Sequence, residues 1–92
     1  MEFEVAIPSP LRSYTKGAQT VLVAVATPVP TLHALLDALD RDYPGIRFRV
    51  FDEQQHLRPH IQVFVNATVQ RDPASELPPR AKVMFVAALS GG

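Results

Sequence analysis

The residues whose type and position offer chemistry are the last two of the sequence, Gly91 and Gly92. Neither carries a Cβ, so the backbone there can thread a channel too narrow for side chains. The group they present is an uncrowded carboxylate, which becomes an acyl donor once joined to adenylate as a mixed anhydride. From Ala87 to Gly92 the chain extends to about 20 Å at most, enough to enter a partner's buried centre. Taken alone, a Gly-Gly end also fits a frayed terminus.

Other reactive side chains are poorly placed for catalysis. His56 and His60 are four apart, a metal-binding spacing only on a helix, and Pro59 between them forbids a regular one. They read as surface histidines, and no metal site is expected. His33 reads as a residue at the rim of a helix, and Asp37, Asp40 and Asp42 as its solvated face. Ser9, Ser13, Ser75 and Ser90 have no base at a readable spacing. Arg41, Arg47, Arg49 and Arg58 make at most a weak basic patch, with Phe48 and Phe51 read as core anchors rather than base-stacking platforms.

Composition narrows the classes further. The chain has 92 residues, nine Lys plus Arg against nine Asp plus Glu, and no Cys. This length suits one domain. A net charge of zero gives no electrostatic ground for a nucleic-acid or membrane partner. Disulfides, thiolate metal sites and cysteine nucleophiles are excluded. No apolar run approaches a membrane span, and Glu2 and Glu4 argue against a signal peptide, so the cytoplasm is expected.

The elements that must position the chain end are punctuated by nine prolines. Phe3, Val5 and Ile7 alternate along a half-buried strand, and Thr20–Ala26 is β-branched, with Ser13–Ala18 as the hairpin turn between them. Thr31 is placed to cap a helix carrying Leu32, Leu35, Leu36 and Leu39, which ends before Pro44-Gly45. Arg47–Arg58 reads as a loop with a brief extended piece at Phe48–Phe51. Ile61–Asn66 alternates as a central strand, Asn66–Val69 turns into a short edge segment, and Lys82–Ala88 is the final strand. The predicted architecture is α+β: a mixed sheet with one main helix packed on one face, its first and last strands central neighbours. This order matches the β-grasp (ubiquitin-like) fold, with residues 1–88 as the domain and 89–92 as a flexible Gly-Gly tail. If Ile61, Val63 and Val65 face the helix, Phe64 faces away; likewise Val83 and Phe85 point in while Met84, Val86 and Ala88 point out. Phe64, Met84 and Val86 then form an apolar patch beside the root of the tail.

At these residues the chain resembles the MoaD/ThiS family of sulfur carrier proteins, and most closely its CysO-like branch. The resemblance runs through Val5-Ala6-Ile7-Pro8, Leu11-Arg12, Gly17, Gln19, Thr31-Leu32 and Leu39. It continues through Tyr43-Pro44-Gly45-Ile46, Leu57-Arg58, Val63-Phe64-Val65-Asn66 and Val69 to Ser90-Gly91-Gly92. The chain departs from the family at Leu77–Lys82, where a Gly-Asp turn is usual, and at the small pair Ala87-Ala88.

The resemblance implies a protein co-substrate rather than an enzyme. It implies that an E1-like adenylating enzyme of the MoeB/ThiF type uses ATP to activate Gly92, which becomes a thiocarboxylate, while Gly91 gives clearance. A sulfur-acceptor enzyme then receives the sulfur, in the making of cysteine or another sulfur-containing metabolite. Phe64, Met84, Val86, Ala88, Leu89 and Ser90 would meet the partners, and the carrier itself would bind no cofactor. Alternatives within the resemblance are the small subunit of molybdopterin synthase and a ubiquitin-like modifier conjugated through Gly92.

Overall fold

The computed structural model describes residues 1–87, so the expectations for Ala88, Leu89, Ser90, Gly91 and Gly92 lie outside the described residues. Along the chain come β1 (Glu2–Ala6), a 3-10 turn (Ser9–Leu11), β2 (Thr20–Ala24), α1 (Leu32–Asp42), α2 (Ile46–Val50), β3 (Ile61–Val65), β4 (Thr68–Gln70) and β5 (Lys82–Ala87). The strands form one sheet in the order β2-β1-β5-β3-β4. β5 runs parallel to β1 and antiparallel to β3, while the two hairpins, β1–β2 and β3–β4, are antiparallel. The sheet is therefore mixed, with the first and last of these strands side by side at its centre, as expected.

Strict alternation sends Phe3, Val5, Val21, Val23, Val63, Val83 and Phe85 to one face, where all are buried. α1 covers that face with Leu32, Leu35, Leu36 and Leu39, a stripe at helical spacing in which every member is fully buried. Its start is capped as the sequence predicts: Thr31 Oγ1 accepts the Ala34 N–H at 3.2 Å. The 71–81 connection passes beneath this end of the helix, held by Leu77 N–H to the Pro30 carbonyl at 2.8 Å. Leu77 and Ala81 are buried there.

The expected loop with an extended piece at Phe48–Phe51 is corrected by α2. Ile46-Arg47-Phe48-Arg49-Val50 alternates apolar and polar, but Ile46 and Val50 are also four apart, and those two are fully buried while Phe48 is 49% exposed. Helical spacing wins because the preceding turn is prepared for it. Gly45 takes φ +99°, and Asp40 on α1 accepts the N–H groups of both Gly45 and Arg47, each at 3.0 Å. Phe48 is thus a surface residue, Phe51 alone is a core anchor, and Asp40 caps a neighbouring helix instead of lying on a solvated face.

The β1–β2 connection contains more than the simple turn read from the sequence. Pro8 and Pro10 open the 3-10 turn, Leu11 is buried, and the reversal is completed by Lys16 and Gly17 at φ +57° and +85°. Thr15 is buried, and its hydroxyl donates to the Ala18 carbonyl at 2.8 Å. Between β3 and β4, Asn66 and Ala67 have φ +49° and +69°, the signature of a two-residue type I′ turn.

Candidate functional site

Among the described residues, no helix or loop covers the sheet face opposite α1. Register places Thr20, Ala6, Met84, Phe64 and Val69 in one line across all five strands. Met84 is 48% exposed, Val86 38% and Val69 40%, while Phe64 is half-buried among them. The expected patch of Phe64, Met84 and Val86 is therefore brought together on the open face of β3 and β5. Two members were missed. Val69 extends the line to the β4 edge, and Leu22, 64% exposed, stands outward on β2 opposite Glu4. The signal for Leu22 was available, since Val21 and Val23 facing the helix leave it pointing away.

This apolar line has a polar border. Glu4 and Lys82 are paired in register on β1 and β5, and Gln62 is paired with Val86. Asn66 secures the approach to β5: its N–H donates to the Lys82 carbonyl and its Oδ1 accepts the Lys82 N–H, both at 2.9 Å. The central strand that leads towards Gly91 and Gly92 is thereby held by β1, by β3 and by this turn.

Ala87, at the end of β5, lies opposite Ile61 at the start of β3. A groove of about 900 Å³ opens beside it, between the 3-10 corner, α2 and the segment leading into β3. Tyr14, Phe48, Arg49, Arg58 and His60 line it. Gly45 lets Tyr14 close one wall, since a Cβ there would stand 3.0 Å from Tyr14 Cε1. Of the four arginines considered in sequence, Arg49 and Arg58 meet here. Arg47 is drawn away, its Nε 2.7 Å from Asp37 Oδ1 and its guanidinium 5.3 Å from the Phe51 ring centre. Arg41 lies 3.9 Å from Asp42.

His33 is half-buried with its ring 4.9 Å from that of Phe51, a packing role at the edge of the helix. His56 and His60 are both exposed, and among the described residues no three His, Asp or Glu side chains gather as a metal-binding group. Asp52 is the one group here with a resolved displacement: its Oδ1 accepts the His56 and Gln54 N–H groups, each at 2.9 Å. The His56 bond is the main cause holding its carboxyl below the ordinary value of 3.8, partly opposed by desolvation. This is a turn-stabilising aspartate. No helix among the described residues is long and apolar enough to cross a membrane.

A five-stranded mixed sheet gripping one main helix, with an apolar open face around its central strand, is the ubiquitin-like β-grasp fold, and the solved structures it resembles are those of small carrier and modifier proteins. No family model and no curated protein sequence matches the chain. Its solved structural neighbours include CysO and small archaeal modifier proteins. CysO of Mycobacterium tuberculosis superposes with a TM-score of 0.81 at 26% identity, covering 95% of this chain and 99% of that one. A chain of the BexX/CysO complex of Amycolatopsis orientalis gives 0.83 at 25% identity, covering 98% and 99%. SAMP1 of Haloferax volcanii gives 0.83 at 25% identity, with both chains covered completely.

Proposed function

We propose that this protein is a sulfur carrier whose Gly92 carboxylate is activated by an E1-like, ATP-using enzyme of the MoeB/ThiF type and converted to a thiocarboxylate. The observation that carries this reading is the course of β5. It is the central strand, it presents Met84 and Val86 on an uncovered apolar face, and the sequence beyond it ends in Gly91-Gly92. A partner seated on that face would receive the chain end at the same time. The carboxylate oxygen attacks the α-phosphorus of ATP, pyrophosphate leaves, and the acyl adenylate forms. Hydrosulfide then attacks the glycyl carbonyl and AMP leaves, so the carbonyl carbon bears sulfur in place of one oxygen. An acceptor enzyme takes that sulfur in the synthesis of cysteine or another metabolite. Phe64, Met84, Val86, Ala88, Leu89 and Ser90 form the partner surface, Gly91 supplies clearance, and the reaction takes place in the cytoplasm.

The test is the intact mass of the protein after incubation with ATP, a sulfide source and an activating enzyme of this type. A gain equal to sulfur minus oxygen, abolished by deleting Gly92, is the expected result. An unchanged mass with an enzyme competent on its own carrier overturns the reading. Likeness to a protein called a small archaeal modifier favours a second reading, conjugation of Gly92 to lysine amines. Gly92-dependent covalent adducts in cells would identify it.

A further inference from the structure

We infer that the groove beside Ala87 binds an acidic segment of the protein partner that engages the chain end, as a second contact separate from the apolar sheet face. The inference rests on the carrier reading for its partner, but its binding chemistry is read from the groove. Arg58 Nε donates to the Phe48 carbonyl at 2.7 Å while its guanidinium lies 4.8 Å from the Phe48 ring centre. Arg49 repeats the arrangement with one residue, its Nε donating to the Tyr14 hydroxyl and its guanidinium 5.8 Å from that ring. Each arginine is thus anchored through Nε on an aromatic support, which leaves the paired terminal N–H groups for a carboxylate. Among the described residues neither has a carboxylate within ion-pair distance, unlike Arg47 and Arg41.

Charge and shape choose the occupant. The lining holds Arg49, Arg58 and His60 and no Asp or Glu, so positive charge is concentrated here in a chain whose net charge is zero. Leu11, Ile61 and Ala87 give the same groove an apolar floor. A segment alternating carboxylates with aliphatic side chains complements both. Nucleic acid fits less well, because the rings that could stack on bases already carry guanidinium groups. The position is also continuous with the proposed site, since Ala87 both lines the groove and is the last residue of β5.

The experiment titrates the full-length, isotopically labelled protein with an acetylated Leu-Glu-Glu-Leu-Glu-Asp peptide and follows its amide NMR spectrum. Saturable shifts at Tyr14, Arg49, Arg58, His60 and Ile61, weakening with salt, are expected. The Arg49→Gln variant should bind about tenfold more weakly, the size of one charge-assisted hydrogen bond. His60→Glu, at an exposed position, places a repelling carboxylate in the groove and should abolish the shifts without disturbing the rest of the spectrum. Equal binding by the Leu-Gln-Gln-Leu-Gln-Asn peptide, shifts confined to Met84 and Val86, or tighter binding of a single-stranded oligonucleotide would overturn the inference. So would binding only after residues 88–92 are removed, which would make the chain's own end the occupant. None of these outcomes depends on sulfur transfer, so failure of the carrier reading would be seen separately in the mass experiment.

Discussion

Ala67 occupies the second position of the β3–β4 turn at φ +69°, a conformation that costs a residue with a Cβ about 1 kcal/mol. Its neighbour Asn66 tolerates φ +49° and also bonds Lys82, so the two turn residues are unequal. Ala67 is exposed and has no packing to lose. Ala67→Gly is therefore expected to stabilise the fold by roughly 1 kcal/mol, less the entropy glycine adds to the unfolded chain, read as a higher urea midpoint. Asp52 gives a residue-scale prediction of opposite kind. Its folded-state pKa is lowered, so its contribution is present above the unfolded value near 3.8 and is lost as pH falls through the lower folded value. Asp52→Asn should flatten that acid limb of the stability profile. An unaltered limb would assign the acid sensitivity to other carboxylates.

At the scale of elements, α2 depends on a side chain borrowed from α1. Removing the Asp40 carboxylate leaves the Gly45 and Arg47 N–H groups without their acceptor. Asp40→Ala is expected to cost about 1–2 kcal/mol, with Asp40→Asn losing less, as measured by chemical denaturation. The contrast between α1 and α2 also explains what the sequence made legible. α1 was readable because four leucines and a Thr cap all agree on one period, and the strands because alternation persists over five or six residues. In Ile46–Val50 both periods fit five residues, and the deciding hydrogen bonds come from a residue on another element. The open apolar face followed from alternation, which also turns Leu22 outward, whereas Val69 joined it only once register was known. The basic groove was less accessible still. Tyr14 lies 35 positions from Arg49 in sequence, and no local pattern announces that pairing.

For the whole molecule, β5 sets a buried core residue directly beside an exposed apolar one. Phe85 is 2% exposed beneath α1, and Met84 beside it faces away. A domain of this size has a stability of only about 5–14 kcal/mol. Phe85→Ala should remove about 3–5 kcal/mol of that, lowering the thermal midpoint sharply. Met84→Asp should leave the midpoint nearly unchanged yet, on the proposed function, weaken binding to an E1-like activating enzyme. Loss of thermal stability in Met84→Asp equal to that in Phe85→Ala would show that the open face is structural rather than a docking surface.

The parallel pairing of β1 with β5 has a further consequence during synthesis. β1 leaves the ribosome early but keeps one edge bare until the last strand of the sheet has followed it out. β3 waits on the same strand, and the hydrophobic layer lacks Val83 and Phe85 until then. A chain lacking β5 therefore leaves β1 and β3 unpaired on their facing edges and open to proteases, whereas β5 fills the gap between them. The topology therefore ties closure of the whole sheet to the last strand of the described residues, so that a copy lacking β5 lacks the partner of both β1 and β3.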